Sequence, residues 1–333
     1  MLELRSATYR HRIRRGTWMR PWATISGPGI RGINLNIKSG NIIGLVGPNG
    51  AGKTTLMQIL SGLLDLEDGH IVLDGKSIQS SNDKVELSNS IGYMPESVSW
   101  VGQGTPTLVI KRLCAMRGIP YSRGEKVLNL VGLSQRSEDT MSTLSQGMKQ
   151  RLSLAASLLG KPRLLILDEP LNGLDPVAQA AFRMLLRQLA DQNVAIIVSS
   201  HSLVELERIV DEVVLMHQGR VAAKGPLSSI GRELGLSARL DIAGIGKKPD
   251  DFGEGVRVEE IESMGGEDWS FRLHLDEGDW TAERRASIQE KLQITRLSPV
   301  PAELEEVLSA ATGTRIEDAG FGIFSDQEVG EDE

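Results

Sequence analysis

The chain has 333 residues, 40% hydrophobic and 24% charged, with a net charge of −7. Such a length and balance fit one large soluble domain or two smaller ones, and no apolar run approaches the roughly 18–20 residues needed to cross a bilayer. Cys114 is the only cysteine, which excludes an intrachain disulfide and a cysteine-rich metal site and leaves a small core residue as its ordinary role.

The amino-terminal stretch has no apolar segment of the signal-peptide kind, so a cytoplasmic location is expected. Arg5, Arg10, Arg12, Arg14, Arg15 and Arg20 face only Glu3 within residues 1–22, with Trp18 and Trp22 nearby. This segment is either a solvated hairpin or a patch that meets anionic lipid headgroups. Residues 42–47, IIGLVG, form a continuous apolar run ending in glycine, as in a parallel strand covered on both faces. GPNGAGKTT follows at 47–55 and fits the phosphate-loop pattern G-x-x-x-x-G-K-[ST] in the required place after a strand. Gly47, Gly50 and Gly52 let the backbone turn its N–H groups toward phosphate oxygens, and a helix starting near Lys53 adds its positive end. Lys53 can reach the β- and γ-phosphates, and Thr54 can place its hydroxyl on Mg²⁺.

In IGYMPESVSW, residues 91–100, Glu96 follows an apolar strand-like run and a proline. Residues 97–160 read as a mostly helical insertion. Within it LSQGMKQR, 144–151, starts a helix with Ser145 as the expected cap. LLILDEP, 164–170, is a second buried strand, and Asp168 leaves it at the carboxyl end, where α/β sheets bind ligands. Asp168 is suited to the Mg²⁺ shell. Glu169 is suited to orienting or deprotonating a water in line with the γ-phosphate. VAIIV, 194–198, is a third buried strand, and His201 lies just beyond it. The α/β pattern ends near a hairpin, VVLMHQGRVAAKG, with its turn at Gln218-Gly219.

A second unit starts near residue 236. Trp269, Phe271, Leu273 and Leu275 alternate with polar residues as in a half-buried strand, and RLDIAGI and VRVEEI are weaker strands. TAERRASIQEKLQ and PAELEEVLSAAT read as helices, with Pro301 at a first-turn position. The expected layout is a small α+β domain at 236–312. Behind it lies a tail, 313–333, whose seven acids against Arg315 suit a disordered segment. That tail carries −6 of the net charge, so residues 1–312 are near neutral and offer no broad basic face for nucleic acid.

The phosphate loop, LSQG, LLILDEP, Asn172-Gly173-Leu174-Asp175 and His201 occur in an order that resembles the nucleotide-binding subunit of an ATP-binding cassette (ABC) transporter, over residues 1–232. The resemblance implies an α/β P-loop NTPase cassette with a parallel-sheet core, an antiparallel β subdomain and a helical insertion at about 97–160. It implies ATP held by Gly47, Pro48, Asn49, Gly50, Ala51, Gly52, Lys53, Thr54 and Thr55, with Mg²⁺ held by Thr54, Asp168 and Glu96. Glu169 and His201 become the catalytic pair. Leu144, Ser145, Gln146 and Gly147 meet the ATP of a second subunit, and Asp175 lies in the loop that crosses to it. Most family members have glutamine where Glu96 stands; glutamate keeps the oxygen and adds a charge, while an exposed structural role is the alternative. The adenine-stacking aromatic belongs to the turn after the first strand. His11 falls there by counting, with Tyr9, Trp18 and Trp22 as competitors.

YMPE and the PAELEEVLSAATG ending also resemble the branch that powers exporters of drugs, lipids or polysaccharides. The expected partners are therefore transmembrane permease subunits on a separate chain and a second ATP-binding subunit. The location would be the inner face of the cell membrane, reached mainly through the permease. The rivals are a non-transport ABC ATPase acting on ribosomes or DNA, and a regulatory ATP-binding cassette. One cassette with no heptad run speaks against the former, and intact Lys53, Asp168, Glu169 and His201 against the latter.

Overall fold

The computed structural model describes residues 1–14, 24–98, 100, 104–201, 206, 209–236, 238–245, 256–260, 268–275, 294–300 and 304–313. The expectations for Arg15, Trp18, Arg20 and Trp22, for the TAERRASIQEKLQ helix, for Pro301 and for the acidic tail lie outside them. The chain divides into two units, Met1–Lys224 and Gly225–Glu333.

In the first unit β1 (Leu2–Arg14) and β2 (Thr24–Ile37) pair antiparallel. With β4 (Asp68–Leu73) and β5 (Lys76–Ser77) they make a four-stranded sheet in the order β2-β1-β4-β5. The second sheet has six strands in the order β10-β9-β3-β8-β7-β6. Its members are β3 (Ile42–Val46), β6 (Ile91–Met94), β7 (Leu164–Leu167), β8 (Ala195–Ser200), β9 (Glu212–His217) and β10 (Arg220–Gly225). The pairs β9–β3, β3–β8, β8–β7 and β7–β6 are all parallel. Every residue of β3, β7 and β8 is buried, which is why these strands read as unbroken apolar runs rather than alternating ones. Helix α1 (Lys53–Leu60) supplies Leu56, Met57, Ile59 and Leu60 to one core cluster that also draws on β1, β2, β4 and the parallel sheet.

The expected insertion is helical. It contains α3 (Pro106–Met116), α4 (Tyr121–Leu130) and α5 (Gln146–Leu158), and α2 (Ser81–Ser90) precedes it. Helix α6 (Pro176–Asp191) follows β7. Ser80, Thr105, Ser145 and Asp175 cap α2, α3, α5 and α6 by accepting a backbone N–H from the first turn. Pro106 and Pro176 sit where a missing N–H costs nothing.

The second unit contains α7 (Leu227–Glu233), which therefore groups with it rather than with the cassette. Its sheet runs β12-β13-β11-β14, built from β11 (Ala238–Ile245), β12 (Val256–Glu260), β13 (Asp268–Leu275) and β14 (Ile294–Val300). Leu240, Ile242, Trp269, Phe271 and Leu273 form its core. The last described helix is α8 (Leu304–Thr312).

The β9–β10 turn braces the phosphate loop. Gln218 and Gly219 both have positive φ, 46° and 76°, as a tight two-residue hairpin needs. The Gly219 N–H donates to Ala51 O at 2.9 Å, and the Arg31 N–H donates to Gly219 O at 2.8 Å. A Cβ on Gly219 would stand 2.2 Å from Gly29 O, whereas one on Gly75, at φ 81°, would meet nothing within 4 Å. Gly75→Ala should therefore cost only the backbone strain of about 1 kcal/mol. Gly219→Ala should cost more, roughly 2–4 kcal/mol, because two backbones must also separate. Urea unfolding of both variants checks this; equal losses would show that the three-way contact is slack.

Candidate functional site

The loop between β3 and α1 is shaped by glycine. Gly47, Gly50 and Gly52 have φ of 156°, 80° and 100°, and Gly52 sits in the left-handed region as the cap of α1. No side chain caps α1, so its first-turn N–H groups keep their capacity for an outside acceptor. Lys53 is buried, and its ammonium donates to Gly47 O at 2.6 Å and Pro48 O at 3.4 Å. The amine therefore lies across the loop. Asn49 and Gly50 are exposed at its tip, while Ala51 is buried.

The opposing carboxylates come from the end of β7. Asp168 is 2% exposed and Glu169 is 8% exposed. The Thr54 hydroxyl donates to Asp168 Oδ2 at 3.0 Å, and the Ser199 hydroxyl donates to Asp168 Oδ1 at 2.7 Å. The same Ser199 oxygen accepts the Glu169 N–H at 2.8 Å. Glu169 has φ 47°, an unusual value for a side chain of this size and a strain of order 1–3 kcal/mol. Its Oε2 lies 3.1 Å from His201 Nδ1. Burial raises the Glu169 carboxyl above the ordinary range, as does the charge of Asp168. The hydrogen bond and charge of His201 and the charge of Lys53 pull the other way. A buried carboxylate with a raised pKa beside an imidazole can hold a proton at one oxygen and release it.

Glu96 lies two residues past β6, whose Met94 pairs with Leu167 of β7 and whose Met94 carbonyl accepts the Asp168 N–H at 2.9 Å. It is thus at the same carboxyl edge as Asp168. Its side chain is exposed, and among the described residues no hydrogen bond joins it to Thr54 or Asp168. Tyr93, one residue before Met94, has a buried hydroxyl without a partner among the described residues. Burial, then the charge of Asp168, push that phenol up to about 12, so it stays protonated.

A second group assembles nearby in sequence. Ser145 caps α5 by accepting the Met148 N–H at 3.3 Å. A Cβ on Gly147 would touch Leu174 at 3.4 Å, and one on Gly173 would touch Gln146 at 3.2 Å, so the start of α5 packs on the loop 172–175. Leu144 is buried beneath the exposed Ser145 and Gln146. Asp175 accepts the Ala178 N–H at 2.9 Å. The structure brings Lys53, Thr54, Asp168, Glu169 and His201 into one group. Among the described residues no hydrogen bond ties Ser145, Gly147 or Asp175 to it.

One placement corrects the expectation. His11 is not in a turn after the first strand. Pairing with β2 continues to Arg14↔Thr24, past register shifts, so the strand runs through His11. His11 Nε2 lies 3.2 Å from Thr55 Oγ1, and its ring meets Tyr9 edge-on at 5.0 Å. Ser199 joins the site without a motif of its own. Its only sequence signal is a polar residue at the end of an apolar strand, two before His201.

A glycine-shaped loop, an uncapped helix start and a buried Asp-Glu pair at the carboxyl edge of a parallel sheet define a P-loop nucleotide-binding protein. The comparisons narrow the class. The sequence profile of the family described as "ABC transporter" matches residues 30–172. The bacitracin transport ATP-binding protein BcrA of Bacillus licheniformis is 37% identical over 200 residues, which are 60% of this chain and 65% of that protein. The linearmycin resistance ATP-binding protein LnrL of Bacillus subtilis (strain 168) is 33% identical over 226 residues, 65% of this chain and 71% of that one. Among solved structures, cbiO1 from Clostridium perfringens, described as part of the ABC transporter complex cbiONQ, has a TM-score of 0.58 at 27% identity, covering 70% of this chain and 90% of that one. The chain belongs to the ATP-binding subunits of ABC transporters, the ATPases of that family.

Proposed function

We propose that this chain powers export through a separate transmembrane permease by binding and hydrolysing ATP between two cassettes. The observation that carries the reading is the single hydrogen-bonded group of Thr54, Asp168, Ser199, Glu169 and His201 facing the glycine-shaped loop. The export direction draws on the relatives named for bacitracin transport and linearmycin resistance. Among the described residues no helix is long and apolar enough to cross a membrane; in this reading the pathway for cargo belongs to another chain. The chain would then sit on the inner face of the membrane, held there mainly by the permease.

In this reading residues 47–55 cradle the phosphates and Lys53 leaves the Gly47 carbonyl to meet the β- and γ-phosphates. The ring that meets the base is His11, whose Nε2 lies 3.2 Å from Thr55 Oγ1, or one of its competitors Tyr9, Trp18 and Trp22. The Thr54 hydroxyl and Asp168 Oδ2 are two hard oxygen donors 3.0 Å apart, a donor set that fits Mg²⁺, and Glu96 adds a third oxygen from the same sheet edge. Bound there, Mg²⁺ would offset phosphate charge. Glu169 orients the attacking water and accepts its proton, and His201 holds that carboxylate while meeting the γ-phosphate. Leu144, Ser145, Gln146, Gly147 and Asp175 of one cassette serve the ATP of the other, so two copies close head to tail. The stretch Glu96–Pro106 carries closure to the permease.

Glu169→Gln should keep ATP binding and lower turnover at least about 100-fold, because an amide accepts no proton. With ATP and Mg²⁺ it should run as a dimer on size exclusion; hydrolysis at the wild-type rate would sink the assignment. Lys53→Ala removes a charge-assisted contact worth about 1.5–3 kcal/mol, so ATP affinity should fall about 10- to 100-fold. Titration with a fluorescent ATP analogue checks it.

Glu96→Gln should retain most of the ATPase rate while needing more Mg²⁺, since one negative charge leaves the metal's surroundings. Glu96→Ala should do more harm. Coincident Mg²⁺ curves for wild type and both variants, with and without the permease, would make Glu96 a bystander. Recovery of a polytopic membrane protein with the tagged chain from detergent extracts tests the transport assignment itself.

A further inference from the structure

Ser199 is 1% exposed, at the end of β8. The parallel pairing of β7 with β8 sets Leu167 beside Val198, which brings the next residues, Asp168 and Ser199, alongside each other. A serine hydroxyl has one proton to give and lone pairs to receive. Here both are used within the site. The proton goes to Asp168 Oδ1 at 2.7 Å, and the oxygen receives the Glu169 N–H at 2.8 Å. We propose that Ser199 is a positioning residue for ATP hydrolysis, one hydroxyl that sets the orientation of Asp168 and the backbone turn of Glu169 together. The proposal rests on the roles given above to those two carboxylates.

The geometry makes the link specific. Asp168 uses its two oxygens differently: Oδ1 is held by Ser199, and Oδ2 faces Thr54. Rotation of the carboxylate would break both bonds at once. Glu169 holds a positive φ that its side chain disfavours, and the conformation is gripped at the N–H by Ser199 and at Oε2 by His201. Ser199 lies near the end of β8 and His201 just beyond it, so this short stretch holds Glu169 at both its backbone and its tip. Without the Ser199 hydroxyl, a buried carboxylate loses a donor and a buried N–H loses its acceptor. A neighbouring hydroxyl of this kind, holding a carboxylate that would bind metal, typically matters about 10- to 100-fold.

The test uses the full chain with Ser199→Ala, Ser199→Thr and Ser199→Cys. Ser157→Ala serves as a control, a buried serine that donates only to Leu154 O within α5. Steady-state ATPase is measured against ATP and against free Mg²⁺, and binding of a fluorescent ATP analogue is measured in EDTA. Ser199→Ala should lower kcat about 10- to 100-fold and raise the Mg²⁺ needed for half-maximal rate. Metal-free nucleotide binding and KM should stay within about threefold, because the phosphate loop is untouched. Ser199→Thr should recover most of the rate, and Ser157→Ala should match wild type. If Ser199→Ala does not fold, Ser199→Cys decides, since a thiol fills the space but donates weakly: a reduced kcat with unchanged nucleotide binding supports the role.

Wild-type kcat and Mg²⁺ dependence in Ser199→Ala, or in Ser199→Cys where only that folds, overturns the inference, as does a loss confined to thermal stability or KM. Glu169→Gln, run in parallel, separates the two levels. If Glu169→Gln still hydrolyses ATP, the catalytic reading fails. If it is inactive while Ser199→Ala is normal, only the positioning role fails.

Discussion

Asp168 is a carboxylate with almost no exposure, and two hydroxyls hold it, one on each oxygen. A buried charge is tolerable only when it is paired or hydrogen-bonded. The two donors come from different parts of the chain, Thr54 from the start of α1 and Ser199 from the end of β8. Asp168 is satisfied only if α1 leaves the phosphate loop in one direction and β8 lies beside β7. The continuous burial of β3, β7 and β8 secures the second condition, because strands covered on both faces have no polar side to slide onto. The fold is thus specified at this carboxylate as much as by its apolar core.

The first condition depends on backbone contacts. The phosphate loop meets the hairpin turn at Gly219 and the antiparallel sheet at Gly29, where no side chain separates the chains. The β9–β10 turn bonds to Ala51 on one side and to Arg31 on the other. The loop is therefore clamped between the parallel sheet from which it emerges and the antiparallel sheet that carries His11. His11 reaches Thr55 from that second sheet, so two sheets converge on the first turn of α1.

The features legible in the sequence were those whose parts lie close together along the chain. Gly47 to Thr55 carry their own turn and helix start, and LLILDEP carries both the strand and the carboxylates that leave it. The position of His11 within a strand is not legible because β1 keeps pairing with β2 to Arg14 through irregular register, which hydrophobic pattern does not signal in an arginine-rich segment. Ser199 is not legible in the sequence because its partners are about 30 residues away and meet it only through strand register. Strand β14 is equally hidden: ITRLSPV has weak alternation and a proline, features that an edge strand tolerates.

The two groups of site residues are joined by one short segment. Glu169 begins it and Asp175 ends it, and Pro170 O receives the Gln150 amide of α5 at 3.2 Å. Asn172 turns back to Glu169 O at 3.3 Å, and Gly173 and Leu174 pack on Gln146 and Gly147. A shift at the Glu169 carboxylate therefore has a short covalent and packed route to the start of α5. Neither α1 nor α5 has an acid within its own first turn, so each helix start keeps N–H groups that favour an anion. One chain thus presents two helix starts, one beside Lys53 and one at an exposed Ser145, with residues 169–175 running between them. In the proposed head-to-tail pair, each helix start would face the phosphates of a different ATP, with that segment between them.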